Sequence, residues 1–401
     1  MKRITFLLVL ILILSLALTA CSAPAAEEPA GEEPVAEEPA AEEPTGETEE
    51  VVFGVFEPLT GAYAAGGAME LEGIELAQEL YPEVLGMPIR VVVVDNKSDK
   101  VESANAATKL VDQEKVNVVL GSWGSSFSMA AGPIVEEAGI PAIGTSCTSP
   151  LVTLGNDYYF RVTFIDSFQG VVMANYAYDV LGAEEVVIIQ DISNDYAVGL
   201  AKFFKDEFIR LTGNEDSIVS IASYNTGDQD FTAQLTNIKA MNPDAIFAPG
   251  GYSETAMLVK QAKELGLEAP FLGGDAWEAA EFIEIGGEAV EGVVFSTFFD
   301  AAAPLTPESE IFINAYREKY GEDPASVTAL AYDAYILAID AIERAGSTDP
   351  EAIRDALAET VGFDGAAGVV TLDENGDAVK NAVIKTVENG EFTYLTTISP
   401  K

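Results

Sequence analysis

From Val51 onward, short apolar runs alternate with longer segments in which apolar residues recur at helical spacing. Apolar runs of this length, bounded by glycine, proline or aspartate, are typical of buried strands. They are VVFGVF (51–56), IRVVVV (89–94), VNVVLG (116–121), EVVIIQ (185–190), DAIFAP (244–249) and PFLGG (270–274). Between them, apolar residues at steps of four, three and three predict a helix over Phe231, Leu235, Ile238 and Met241. This alternation predicts an α/β fold with parallel sheets and right-handed crossovers.

The last part of the chain has a different pattern. The segment AVIKTVENGEFTYLTTI, residues 382–398, contains two β-rich runs separated by Asn389 and Gly390. Asn-Gly is a strong hairpin signal, because both residues readily take the positive φ that a tight turn requires. The body that starts at Val51 has about 350 residues, which is long for one ordinary core. We therefore predict two α/β lobes and a late antiparallel hairpin.

The first residues have the pattern of an export signal. Lys2 and Arg3 precede an apolar run over residues 6–14, and the tetrapeptide Leu-Thr-Ala-Cys ends at Cys21. A spanning helix needs about 20 apolar residues, and this stretch is shorter, so we interpret residues 1–20 as a signal peptide. The tetrapeptide resembles the lipobox of bacterial lipoproteins, which implies cleavage before Cys21 and acylation of its sulfur. An ordinary secretory signal with an incidental cysteine is the alternative.

Residues 21–50 carry a degenerate repeat of glutamate, proline and alanine. Between residues 22 and 50 there are eleven glutamates and no basic or aromatic residue. Such a segment cannot bury enough apolar surface to fold. We interpret it as a disordered tether between the lipidated Cys21 and the folded body, with an acidic binding tail as the alternative.

The composition argues against several classes of function. The formal net charge is −45, which repels the phosphates of nucleic acids, so we expect no nucleic-acid partner. There are two cysteines, and if Cys21 is lipidated, Cys147 has no partner for a disulfide within the chain. There is no histidine, so Ser-His-Asp catalysis and zinc binding by histidine are unavailable. We expect no enzyme, no cofactor and no metal ion.

The segment VVLGSWGSSFSMA, residues 118–130, is the first candidate for a binding loop. Its serines follow an apolar run and precede a predicted helix, which is compatible with a phosphate cradle, a hydrolase nucleophile loop or a seat for a carboxylate. It has no G-x-S-x-G motif, and the chain has no G-x-x-x-x-G-K-[ST] motif and no G-x-G-x-x-G after a strand. A carboxylate seat is therefore favoured, because a helix N-terminus beyond a strand end attracts an anion. The alternative is that Ser125 only caps the helix.

Three further loops favour the same type of site. TSCTSPL, residues 145–151, is also rich in hydroxyls and also follows a predicted strand. PGGYSE (249–254) and LGGDAWE (272–278) follow strands that we assign to the other lobe, and they supply Tyr252, Asp275 and Trp277. Hydroxyls on one side, with a carboxylate and aromatic rings on the other, suit a zwitterion with an apolar tail.

These segments together resemble a known family. From Val51 to about Ser399, the chain is similar to substrate-binding proteins of ABC importers, in the branched-chain amino-acid-binding (Leu/Ile/Val) group of type I periplasmic binding proteins. The resemblance is carried by the order and spacing of GVFEPLTGAYAAGGAMELEGIELA, VVVVDNKSDKVESANAATKLV, EEAGIPAIGTSCTSP, YYFRVTFIDSFQG, FTAQLTNIKAMNPDAIFAPGGYSETAMLVKQAKELGL and FLGGDAWEAAEFIEIGGEAVEGVV.

The resemblance implies roles for individual residues. Ser125 and Thr148 correspond to positions that bind the ligand carboxylate, and the ammonium would meet backbone carbonyls near Ser146 together with Asp275. The family often has glutamate where this chain has Asp275. Its aromatic residue in the first loop has no match at Gly66, where Tyr63 is the substitute. The predicted ligand-binding set is Ser125, Ser126, Ser146, Thr148, Tyr196, Tyr252, Asp275, Trp277 and Tyr63.

The resemblance also implies architecture and partners. Two doubly wound lobes joined by a three-crossing hinge are expected, with lobe I at 51–163 plus 296–370 and lobe II at 164–295 plus 371–401. The expected protein is a monomer anchored through Cys21 outside the cytoplasm of a bacterium, binding an amino-acid-like ligand and an ABC permease. A ligand sensor for a signalling partner, or a receptor for an amide, a urea-like compound or an aromatic acid, is the alternative.

Overall fold

The computed structural model describes residues 49–400. The predicted signal peptide, the lipidation site at Cys21 and nearly all of the predicted tether lie outside the described residues. Two sheets that are mainly parallel, with helices packed on them, make up the described chain. The α/β fold predicted from the alternation of strands and helices is therefore confirmed.

The first sheet comes from the first third of the described chain. Its strands are β1 (Val51–Glu57), β2 (Glu83–Val84), β3 (Met87–Asp95), β4 (Val118–Leu120), β5 (Ala142–Gly144) and β6 (Tyr159–Arg161). They lie in the order β2-β3-β1-β4-β5-β6, and all neighbours are parallel except β2 and β3. Every residue of β1 is buried, since a parallel sheet covered on both faces needs a continuous apolar run rather than an alternating one.

The second sheet is built from later segments. Its strands are β7 (Val186–Asp191), β8 (Ile218–Tyr224), β9 (Ala245–Phe247), β10 (Phe271–Gly273), β11 (Val294–Thr297), β14 (Ala382–Glu388) and β15 (Glu391–Ile398). The order is β15-β14-β11-β10-β9-β7-β8, and the antiparallel strands β14 and β15 lie at one edge. Between them in sequence, β12 (Phe363–Gly365) and β13 (Gly368–Val370) form a separate antiparallel pair. Each of the six predicted strands is present in one of the two large sheets.

Helices connect the strands and cover both sheets. In chain order they are α1 (Ala64–Leu80), α2 (Lys100–Thr108), α3 (Ser125–Ala138), α4 (Asp166–Asn175), α5 (Asp195–Thr212), α6 (Thr232–Met241), α7 (Tyr252–Glu264), α8 (Ala280–Gly286), α9 (Pro307–Tyr320), α10 (Ser326–Ala345) and α11 (Pro350–Ala358). Although α10 comes late in the sequence, it packs against α1 and contacts β4 and β5. The chain therefore returns to the first sheet after it has built most of the second.

Two local predictions have clear outcomes. Asn389 and Gly390 both have positive φ, 56° and 76°, and join β14 to β15 as the hairpin signal predicts. The helix predicted from the apolar spacing is present as α6, in which Leu235 and Ile238 are buried, and Phe231 is buried just before the helix. Met241 is the last residue of this helix and is 42% exposed.

Three passages of the chain run between the first sheet with the helices packed on it and the second sheet. The first follows β6, which ends at Arg161, the second follows β11, and the third runs from β13 to β14. All of β11 pairs within the second sheet up to Thr297, two residues beyond the limit expected for that lobe. We define lobe I as the first sheet with the helices packed on it, and lobe II as the second sheet with its own helices.

Two properties of the described chain bear on its surroundings. Within residues 49–400, no helix is both long enough and apolar enough to cross a membrane. Cys147 is a free thiol and is fully buried. Burial raises the pKa of this thiol, which disfavours the reactive thiolate form.

Candidate functional site

The serine loop after β4 ends where α3 begins, at Ser125. The residue before it, Gly124, has φ 92° and is the N-cap, with no side-chain capping bond. Ser125 is therefore not the helix cap that the alternative interpretation required. Its Oγ instead accepts the backbone N–H of Ser149 at 3.0 Å, which ties the two hydroxyl-rich loops together. The Ser125 hydroxyl proton stays available for an acceptor in the cleft.

The second hydroxyl loop follows β5 and is anchored from behind. Thr145 and Ser146 each donate a hydrogen bond to one carboxyl oxygen of Glu70, a buried residue of α1. Thr148 Oγ1 is buried beside the Asp166 carboxyl but has no partner with hydrogen-bond geometry among residues 49–400. Ser146 is thus held by the protein, whereas Thr148 presents an unused hydroxyl.

Glu70 shares its buried environment with a second carboxyl group. Glu57, at the end of β1, accepts the Trp123 backbone N–H at 2.7 Å. Burial raises the pKa of Glu57 well above its ordinary value and raises that of Glu70 to about 7. The two carboxyl groups also interact with each other, which disfavours ionisation of both at once and favours one shared proton. This pair connects the two hydroxyl loops from behind without exposing a second charge.

A carboxylate from lobe II faces these loops. Asp275 follows β10 and is 6% exposed. Its Oδ1 accepts hydrogen bonds from Gln169 Nε2 at 2.7 Å and from the Tyr196 hydroxyl at 2.9 Å. Burial raises the pKa of Asp275 to about 6 in spite of these bonds. An ammonium group bound here would stabilise the ionised form.

Asp166 is a functional candidate that the sequence analysis missed. It is the first residue of α4, and neither of its buried carboxyl oxygens has a hydrogen-bond partner among the described residues. Burial, and next the charge of Asp275, raise its pKa well above the ordinary value. Asp166 lies in the segment YYFRVTFIDSFQG, but an acidic residue at a helix start is common, so the pattern did not distinguish it. Two buried carboxyl groups at one place favour a cationic ligand group.

Aromatic rings form the wall next to the serine loop. The Trp123 ring centre lies 5.0 Å from that of Tyr63 and 6.1 Å from that of Tyr252. A Cβ atom on Gly66 would come within 2.6 Å of the Trp123 ring. Gly66 therefore makes room for the Trp123 ring, which lines the cleft and packs against Tyr63.

Three residues of the predicted set bond across the cleft between the lobes. Ser126 Oγ donates to Asp195 Oδ2 at 2.9 Å and accepts the Asp195 N–H at 3.1 Å. The Tyr63 hydroxyl lies 3.2 Å from Thr226 Oγ1, and the Tyr252 hydroxyl donates to the Ala62 carbonyl at 3.3 Å. These side chains hold the lobes together in the arrangement described.

Trp277 is placed differently from the rest of the predicted set. It is fully buried in lobe II, where its ring stacks on Phe282 at 5.0 Å and lies close to Gly273. It does not line the cleft cavity, because the turn after Asp275 directs it back towards β10.

The remaining predicted residues meet at one cavity between the lobes. Its volume is about 20 Å³, and its lining consists of Trp123, Gly124, Ser125, Ser146, Thr148, Asn194, Tyr196, Asp275 and Ala276. The loops that supply them follow β4, β5, β7 and β10, at the carboxyl ends of parallel strands where α/β sheets bind ligands. Donors on the lobe I side face the Asp275 carboxyl group on the other side of the cavity. This arrangement can bind a carboxylate and an ammonium group at once.

Comparisons with known proteins identify the family of this chain. A family model described as periplasmic binding protein matches residues 50–391. The structure is similar to a leucine-binding protein of Thermotoga maritima, with 44% identity and a TM-score of 0.84 over 87% of this chain and 99% of that one. It is also similar to a branched-chain amino acid transporter substrate-binding protein of Streptococcus pneumoniae in complex with isoleucine, with 35% identity and a TM-score of 0.82 over 88% and 100%. A leucine-, isoleucine-, valine-, threonine- and alanine-binding protein of Pseudomonas aeruginosa is 29% identical over 80% of this chain and 85% of its own.

Proposed function

The chain belongs to the periplasmic binding protein family, and from this premise we propose that it is a receptor for a small aliphatic amino acid. In this proposal it binds the amino acid between its two lobes, leaves it chemically unchanged and delivers it to an ABC importer. The observation that carries the proposal is the position of Ser125 and Thr148 opposite Asp275, because these groups match the two charged ends of an α-amino acid.

The carboxylate end would meet the first turn of α3. The Ser125 hydroxyl and the Thr148 hydroxyl can both donate to a ligand carboxylate, and the N-terminus of a 14-residue helix adds a favourable partial charge. Charge-assisted hydrogen bonds of this type are stronger than those between neutral groups.

The ammonium end would meet Asp275 and Asp166. Aspartate stands here where the family often has glutamate, so the Asp275 carboxylate reaches less far. Asp166 supplies a second buried carboxyl group, close enough to Asp275 for their charges to interact. The two aspartates together support ammonium binding despite the shorter side chain.

The preference for an aliphatic side chain rests on the relatives and on the aromatic wall. The names of the similar proteins include leucine, isoleucine and valine as ligands. Trp123 and Tyr63 offer apolar ring surface beside the serine loop, and burying an aliphatic side chain there is favourable.

The cellular setting is proposed from the sequence. We place the protein outside the cytoplasm as a monomer, with Cys21 acylated and residues 21–50 serving as a tether to the membrane that contains the permease. Mass spectrometry of the protein purified from membranes would test this: a diacylated Cys21 is expected at the N-terminus, and an unmodified residue there would contradict the anchor.

Calorimetric titration of the purified body with individual ligands tests the main proposal. Leucine, isoleucine, valine and alanine are compared with acetamide, urea and benzoate, and NMR of the recovered ligand reports any chemical change. Tight binding of at least one aliphatic amino acid, recovered intact, is the expected result. Tight binding of the amide, urea or benzoate alone, or conversion of the bound amino acid, would contradict it.

A further inference from the structure

Arg161 is a buried cation behind the loop that carries Thr148. It is the last residue of β6 and is 0% exposed. Its guanidinium donates to the Cys147 carbonyl at 2.7 Å, to the Ser149 carbonyl at 2.9 Å and to Thr153 Oγ1 at 2.7 Å. A rigid guanidinium that uses its donors on two carbonyls of one loop fixes the shape of that loop.

The two carbonyl contacts determine where a neighbouring N–H points. In a trans peptide unit the C=O and the N–H point in opposite directions. Since the Cys147 carbonyl faces Arg161, the N–H of the same peptide unit, which belongs to Thr148, faces away from the guanidinium. The Ser149 N–H is used by Ser125, and the Thr148 carbonyl accepts the first N–H of α4. Among residues 49–400, no acceptor takes the Thr148 N–H, and Thr148 lines the cavity.

Asp377 holds Arg161 in place from the third passage between the lobes. Its Oδ1 lies 2.7 Å from Arg161 Nε and accepts the Thr153 hydroxyl at 2.8 Å. The backbone N–H of Arg161 also donates to the Gly376 carbonyl at 3.0 Å. The binding loop is therefore connected to the hinge through one buried ion pair.

We propose that Arg161, held by Asp377, is a positioning residue for the carboxylate end of the ligand. It does not touch the ligand: it fixes the Cys147 and Ser149 carbonyls and so directs the Thr148 N–H into the cavity. Its positive charge on the far side of the loop also favours an anion at Ser125. This inference rests on the proposed function, because it requires a ligand carboxylate at Ser125 and Thr148.

The test compares leucine with leucinamide, which keeps the ammonium group and the side chain but lacks the carboxylate. Both are titrated calorimetrically into wild type, Arg161→Met and Asp377→Asn at neutral pH. Lys380→Met is the matched control, because Lys380 forms a buried ion pair with Asp333 from the same passage of chain as Asp377. Thermal melting of each variant reports whether it is folded.

The expected result is a selective loss. Arg161→Met should weaken leucine binding by about tenfold or more, because the Thr148 N–H and hydroxyl would no longer be held in place to donate charge-assisted hydrogen bonds to the leucine carboxylate. Leucinamide binding should stay within about threefold of wild type. Asp377→Asn should also lower the ratio of leucine to leucinamide affinity, by about threefold or more. If Arg161→Met does not fold, this variant tests the positioning role by itself. Lys380→Met should keep the wild-type ratio even if its melting temperature falls.

The contradicting results are distinct. If wild type favours leucine over leucinamide and the folded Arg161 and Asp377 variants keep that preference in full, the positioning role is wrong and the proposed function stands. If wild type binds leucine and leucinamide equally well, there is no carboxylate seat, and the proposed function and this inference both fail.

Discussion

The hydroxyl of Tyr196 donates a hydrogen bond to Asp275 Oδ1 at 2.9 Å, which joins the first turn of α5 to the loop after β10. Gln169 donates to the same oxygen at 2.7 Å. Because both bonds go to Oδ1, Oδ2 is the oxygen available to a ligand ammonium group. The protein therefore orients Asp275 before a ligand arrives, yet keeps it in surroundings that disfavour its charge.

Asp275→Asn should abolish leucine binding and stabilise the free protein. The asparagine keeps an Oδ1 that can accept from Gln169 and Tyr196, but it removes the carboxyl charge. Burial raises the pKa of that carboxyl group from 3.8 to about 6, which is a penalty of up to about 3 kcal/mol for the ionised form. The contribution of Asp275 to stability is full below about pH 4 and is lost as pH rises through about 6. At pH 8 the variant should melt higher than wild type and show no shift with leucine.

Asp191→Asn is the matched control for this stability gain. Asp191 is also buried in lobe II, but its carboxylate accepts the backbone N–H groups of Ser193 and Thr226. Its replacement should lower the melting temperature at pH 8. A fall in the melting temperature of Asp275→Asn as large as that of Asp191→Asn would contradict the assigned cause.

Leucine affinity should decrease as pH falls below about 6. The ammonium group binds the ionised Asp275, so below its pKa of about 6 the carboxyl group must release one proton when leucine binds. The affinity then decreases by up to about tenfold for each pH unit below the pKa. Gln169→Leu removes a bond that lowers this pKa, so the midpoint should move to higher pH. Asp195→Asn, at the exposed cleft edge, should keep the wild-type midpoint. Titrations of wild type and of both variants from pH 5 to pH 8 measure the three midpoints. Asp166, Glu278 and Glu70 are the other acidic groups whose charges act on this region.

Ser125→Ala should reduce leucine affinity much more than Ser126→Ala, although the two serines are neighbours in the chain. Ser125 faces the cavity, and loss of a hydrogen bond to a charged ligand group should reduce leucine affinity by about tenfold or more. Ser126 bonds to Asp195 across the cleft, and a partly exposed contact of this kind is worth about 0–1 kcal/mol, so its loss should reduce affinity by about fivefold at most. Equal losses in calorimetric titration would show that the two serines have the same role.

Trp123→Leu should broaden the range of ligands. The Trp123 ring occupies space against Gly66 and Tyr63 at a cavity of about 20 Å³, so a smaller side chain leaves room for a larger ligand. The affinity for phenylalanine or methionine relative to valine should rise by about tenfold, the effect of one or two buried methylene groups.

Trp277→Leu serves as the matched control for the Trp123 variant. It removes the same ring from the packed interior of lobe II, where Trp277 stacks on Phe282. It should lower the melting temperature while leaving the order of ligand preference unchanged. A changed order in Trp277→Leu, or an unchanged one in Trp123→Leu, would contradict the assignment of the wall to Trp123.

The local pattern of the sequence was sufficient for the elements and for the type of loop. Continuous apolar runs predicted strands buried on both faces, and Asn389-Gly390 predicted the hairpin, because both properties depend on residues next to each other in the chain. Strand ends followed by glycine and hydroxyl residues predicted where the candidate site lies, since parallel strands present their carboxyl ends at one edge.

The tertiary structure decided which of these side chains face the cavity between the lobes. Trp277 follows Asp275 by two residues, yet it points into lobe II while Asp275 faces the cleft. Ser126 meets Asp195, and Gly66 meets Trp123, across long separations in sequence. No periodicity records such contacts, because they arise only when folding brings together segments that are far apart in the chain.

Asp166 and Arg161 show most clearly what the sequence pattern cannot predict. In sequence they are an ordinary helix-start acid and an ordinary strand-end base. Their roles come from burial and from partners such as Asp377, 216 positions after Arg161. The sequence by itself determined the fold, the charge and the loops that bear the candidate chemistry. Only the folded structure decided which of their groups are unpaired, which are held and which are ionised, because those properties depend on distances between segments far apart in the chain.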